Sequence, residues 1–125
     1  MKSRGNLVRL KQFKVTESRR QLAQLDAMIA DFDRMAAELD AQILHEEKKS
    51  GITDISHFAY PTFAKAARQR RDNLNNSRLD LIEQKANAEA VLAEAEAELA
   101  KAEQLETRDA RVREAEGELR RAIVG

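Results

Sequence analysis

The sequence predicts an all-α fold: two long helices forming an antiparallel coiled-coil hairpin, with the second helix longer and overhanging the first. Three observations carry that prediction. The 125 residues include one Pro and four Gly. Apolar side chains recur in alternating steps of three and four along both halves of the chain. Charges fall in blocks whose signs complement one another only when the chain folds back on itself. A composition that is 35% charged and 4% aromatic suffices for a narrow seam between helices, but lacks the bulky residues of a thick core with an enclosed pocket.

The first helix is expected over about residues 6–49, which contain no Pro and no Gly. Leu22, Leu25, Ile29, Phe32, Ala36, Leu39 and Ile43 keep the seam step without a miss, and Met28 and Met35 widen it on one flank. Val8 and Val15 stay in register, whereas Lys11 and Ser18 fall where apolar residues are expected and Leu7, Leu10 and Phe13 lie on another line. Two readings of this end stand side by side: a surface that docks in a partner, or an end that frays.

The turn is expected at about 50–60. Lys48 and Lys49 suit the last turn of a helix, Gly51 the left-handed residue beyond it, and Thr53, Asp54 and Ser56 are capping or turn residues. Pro61 suits the first turn of a new helix because it has no N–H to leave unsatisfied. Phe58, Tyr60 and Phe63 cluster here. They either plug the end of the hairpin or offer an aromatic patch to a partner.

The second helix is expected over about 61–124. Leu74, Leu81, Ala88, Ala95 and Ala102 repeat every heptad, with Leu92 and Leu99 between the later ones and Arg78 and Lys85 interrupting the earlier steps. After Ala102 the register shifts to Leu105, Val112, Ala115, Leu119 and Ala122. Gly117 weakens the last two turns by roughly 1 kcal/mol relative to Ala.

Charge fixes the direction of the arms. Residues 2–20 hold seven basic side chains against one acid, and residues 22–47 hold seven acids against one base. Residues 63–88 hold six bases against three acids, and residues 89–106 six acids against one base. Reversal near residue 55 sets every block beside its opposite, whereas parallel arms set basic on basic. Exposed pairs are worth about 0–1 kcal/mol each, so they select orientation more than they stabilise. The second arm then outruns the first after about residue 106, leaving Val112, Ala115 and Leu119 without a partner in the chain.

Several function classes are disfavoured. Net charge is zero and Cys is absent, which removes a global field toward nucleic acid and any thiolate or disulfide chemistry, and accords with the cytosol. The basic start, residues 1–9, is followed by Leu10, Lys11, Gln12, Phe13 and Lys14 without a continuous apolar run, so neither a signal peptide nor a membrane-spanning segment is expected. His45 and His57 flank the turn without a set of metal-ligating neighbours. The four glycines are isolated, so no phosphate-cradling loop is read. The basic run at 65–71 lacks a stacking platform or a helix-turn-helix around it. An enzyme, a cofactor and a nucleic-acid partner are therefore not expected.

Two stretches resemble a known family. Met1-Lys2-Ser3-Arg4 with Leu7, Leu10 and Phe13, then Arg19-Arg20-Gln21-Leu22, resembles the start of the FliJ family, coiled-coil proteins of the flagellar type III export apparatus. The stretch from Phe58 through Tyr60, Pro61, Phe63 and Arg68 to Arg71 looks like its alphaproteobacterial branch. The resemblance implies a cytoplasmic protein, peripheral at the flagellar basal body, that couples the export ATPase ring to the membrane-embedded export gate and assists export chaperones. It places Leu7, Arg9, Leu10, Phe13, Lys14, Val112 and Leu119 at the ATPase-facing end, and Phe58, Tyr60, Phe63, Arg68 and Arg71 at the gate-facing end. It implies neither catalysis nor direct membrane insertion. Residues 108–121 match no motif of the family. The rival reading is a generic coiled-coil spacer or holdase-like chaperone, and oligomeric state is left open.

Overall fold

The computed structural model describes residues 2–124, with side chains from Gly5 onward. It consists of two helices, α1 (Lys2–Ser50) and α2 (Thr62–Val124), and no strand occurs among the described residues. The all-α hairpin is thus the fold. α1 begins earlier than the sequence pattern suggests and takes in Gly5, because the helix formers that follow outweigh the roughly 1 kcal/mol that one Gly costs. α2 passes through Gly117 without a break.

The turn is built as its residues require. Gly51 has φ of 75°, the left-handed conformation that a side chain resists, and its N–H reaches the Glu47 carbonyl at 2.8 Å. Ser50 Oγ accepts the Ile52 N–H at 3.1 Å. Asp54 Oδ1 accepts both the backbone N–H (3.0 Å) and the hydroxyl (2.7 Å) of Ser56. These bonds hold the Asp54 carboxyl below its usual range. The Pro61 carbonyl accepts the Lys65 N–H at 3.0 Å, which opens α2.

The chain divides into two compact units: a turn unit, Ala23–Asn87, and a terminal unit formed by Met1–Leu22 with Ala88–Gly125. In the turn unit Ile43, Tyr60, Ala64, Ala67 and Leu81 are buried, and Leu25, Ile29, Phe32, Ala36 and Leu39 are half-buried. In the terminal unit Val8, Val15, Ser18 and Ala102 are buried. Nearly every seam position along both helices is more covered than its neighbours, as a two-helix seam requires.

Positions that look like interruptions in the sequence belong to the seam. Ser18 is small enough to be buried there. Lys11, Arg71, Arg78 and Lys85 lay their aliphatic stems along it and carry their charged heads to acids of the opposite helix. In the turn unit Asp40 takes Arg71 at 3.0 Å and Asp26 takes Lys85 at 2.7 Å. Between them Asp33 pairs with Arg78 through its enclosed Nε. In the terminal unit Lys11 meets Glu98 at 2.7 Å, and the Glu98 carboxyl is held low by that hydrogen bond. The pairing is antiparallel in both units.

Candidate functional site

Sequence reasoning grouped Phe58, Tyr60, Phe63, Arg68 and Arg71 as one surface, but the structure separates them. Phe58 is 97% exposed, with the His57 ring stacked beside it at 4.8 Å. Phe63, on the first turn of α2, is 56% exposed, and Ile55 is exposed as well. Tyr60, expected at the gate-facing end, is only 7% exposed. Its hydroxyl donates to Glu47 Oε2 at 2.9 Å and accepts from Arg68 Nε at 2.8 Å. Arg68 closes the triangle by donating from Nη2 to Glu47 Oε2 at 2.9 Å, and its guanidinium carbon lies 5.9 Å from the Tyr60 ring centroid. The chain leaves Gly51, passes the Asp54 turn and brings Tyr60 back over the last turn of α1, so the three groups meet.

The electrostatics of this clasp are mutually reinforcing. Hydrogen bonds from Arg68 and then Tyr60 hold the Glu47 carboxyl below its usual range. Its own hydrogen bonds to Tyr60 and then to Glu47 hold the Arg68 guanidinium above its ordinary value. Arg68 and Arg71 are therefore committed inside the hairpin; Arg71, bonded to Asp40 and Asp72, is likewise raised, chiefly by Asp40.

In the terminal unit Leu10, Phe13, Val112 and Leu119 are exposed large apolar side chains. Arg9 and Lys14 are exposed, and Leu7 is half-buried. Phe13 and Lys14 line an open groove with Val91, Glu94 and Ala95 of α2. A Cβ added at Gly5 would stand 3.9 Å from Glu106 Oε1. Beyond that level every described residue from Ala110 to Val124 is exposed except Gly117, with Ile123 and Val124 extending the bare apolar run.

Glu47, Asp26, Asp33, Asp40 and Glu98 were not singled out in the sequence. The first four had a signal, since they stand one heptad apart on α1. Among the described residues no group of His, Cys, Asp and Glu is arranged to hold a metal ion, and no helix is long and apolar enough to cross a membrane. The fold and these surfaces define a two-helix protein with a coiled-coil-like seam. Compared with family models, curated proteins and solved structures, the chain matches none.

Proposed function

We propose that this protein is an adaptor of the flagellar type III export apparatus, joining an export ATPase to the export gate and assisting export chaperones. The observation that carries the reading is the exposure of three of the four phenylalanines: Phe13 in the terminal unit, and Phe58 and Phe63 at the turn. A two-helix seam has little interior, yet Tyr60 and Phe32 do find cover in it. Rings left bare on separate units fit two docking surfaces better than a spacer, which needs neither.

Under this reading Leu7, Arg9, Leu10, Phe13 and Lys14, with Val112 and Leu119, meet the ATPase, and Phe58 and Phe63 meet the gate. Tyr60, Arg68 and Arg71 shape the turn that presents them. The chain works at the cytoplasmic face of the basal body and performs no catalytic step. The test is recovery of partners from a flagellated host with wild-type chain, Phe58→Ala/Phe63→Ala and Leu10→Ala/Phe13→Ala as baits. Loss of the gate protein with the first pair and of the ATPase with the second is the expected result. Recovery of neither by the folded wild-type chain defeats the flagellar reading and leaves the spacer or holdase.

A further inference from the structure

We propose that the turn unit has a second helix register one heptad from the one observed, and that the clasp of Tyr60, Glu47 and Arg68 holds that register off. The inference starts from a coincidence of spacing. α1 carries acids at 26, 33, 40 and 47, and α2 carries cations at 71, 78 and 85, every step being seven. The observed rungs are Asp40 with Arg71, Asp33 with Arg78 and Asp26 with Lys85. The acidic line has one member more than the basic line, and that member, Glu47, is bonded instead to Arg68 and Tyr60.

Sliding α2 by seven residues so that Arg71 reaches Glu47 also brings Arg78 to Asp40 and Lys85 to Asp33. All three cations keep a carboxylate. The apolar seam repeats with the same period, so seam positions still meet seam positions: Ala36, which sits between Asp33 and Asp40, exchanges Leu74 for Leu81, and the place that Leu81 leaves passes to Ala88. The slide has one permitted direction. In the opposite sense Lys85 would pass beyond Asp26, and the next position of that heptad line toward the N-terminus is Arg19.

Because α2 is continuous from Thr62 to Val124, the slide also carries its part of the terminal unit, where Lys11 gives up Glu98; at the turn itself the loss of packing is small. The α2 residues that leave the seam beside Glu47 are Ala64 and Ala67, which bury only methyl groups there. Seven helical residues correspond to about 10 Å, whereas the eleven residues between Ser50 and Thr62 reach up to roughly 36 Å when extended. At the turn, what opposes the slide is the clasp, because the slipped register requires Glu47 to exchange Arg68 and Tyr60 for Arg71. A ligand of the turn that draws Tyr60 out of its seat would therefore favour the shifted ladder, which couples the turn to the pairing of the turn unit's helices.

The chain has no cysteine, so disulfide trapping reads the register directly. Ala36→Cys with Leu74→Cys reports the observed register, Ala36→Cys with Leu81→Cys the slipped one, and Ala36→Cys with the exposed Ser77→Cys reports local opening. Each pair is placed in the wild-type background, in Tyr60→Phe, and in Tyr60→Phe/Arg68→Gln, with helix content checked by circular dichroism. Tyr60→Phe, the milder change, keeps the test informative if the double variant does not fold. Breaking the clasp is expected to raise the rate of the slipped pair roughly tenfold while the Ser77 pair stays slow, and adding Glu47→Gln should cancel most of the gain. A slipped pair that does not accelerate, or a Ser77 pair that accelerates equally, overturns the proposal.

Discussion

The Tyr60 hydroxyl occupies a position between a carboxylate and a guanidinium that water cannot readily replace, since the ring beneath it is buried. Removing that oxygen in Tyr60→Phe keeps the packing and deletes one donor and one acceptor, so a loss of about 1 kcal/mol is expected in urea unfolding at neutral pH. A change near zero would mean the Glu47–Arg68 contact closes the clasp unaided. Acid should act at the same place. The folded-state values of Glu47, Glu98 and Asp54 all lie below those of the unfolded chain, so the unfolded state binds more protons as pH falls. Their stabilisation is complete above the ordinary carboxylate value of about 4 and is lost as pH drops through the lower folded-state values. Thermal melts should therefore hold steady from neutral pH to about 5 and decline below it. In Glu47→Gln/Glu98→Gln the decline should be shallower; an equally steep one would place the acid sensitivity elsewhere. At this scale the sequence was least legible. Tyr60 and Phe58 stand two residues apart and look alike in composition, yet one is core and the other is bare. The difference is made by Glu47 and Arg68, which are distant from Tyr60 in the chain and come together only when the turn forms.

Elements were far more legible, because the seam step of three and four survives polar substitutions at single positions. Lys11, Arg78 and Lys85 were read as gaps and proved to be seam members with long stems. Periodicity alone scores such residues by their heads, whereas burial follows their methylenes. The same seam divides large from negligible effects of one substitution type. Leu81, 6% exposed, should lose about 2–3 kcal/mol on change to Ala. Leu119, 62% exposed on the bare end of α2, should change stability by less than about 0.5 kcal/mol. Denaturant titrations of the two variants check this, and a large loss at Leu119 would show that something covers it in solution, a second copy being the simplest candidate. Glycine offers a parallel contrast. Gly51 at φ of 75° should be destabilised by about 1 kcal/mol on change to Ala. Gly117, helical with open space where a Cβ would stand, should gain up to roughly 1 kcal/mol from the same change. Opposite signs in thermal melts of these two variants are expected.

For the molecule as a whole, apolar pattern and charge pattern specify different things. Alternating three and four spacing says that two helices pair, and it is nearly indifferent to direction and to shifts of a whole heptad. Direction comes from charge: acids 26, 33 and 40 face cations 85, 78 and 71 in descending order, as only antiparallel helices allow. Reversing the acids with Asp26→Lys, Asp33→Lys and Asp40→Lys places like charges on every rung of the turn unit. Since an exposed pair contributes at most about 1 kcal/mol, a total loss of roughly 1–3 kcal/mol is expected at low salt. The loss should shrink in 1 M salt, where the Debye length falls to about 3 Å. Adding Arg71→Glu, Arg78→Glu and Lys85→Glu rebuilds the ladder with its signs exchanged and should restore most of the stability. That recovery separates pairing from mere tolerance of the new side chains, because the six substitutions are compensating only if the rungs exist. Thermal melts of the triple and sextuple variants at both salt concentrations decide it. Failure of the second triple to rescue the first would mean that the seam and the turn set the antiparallel direction without help from charge.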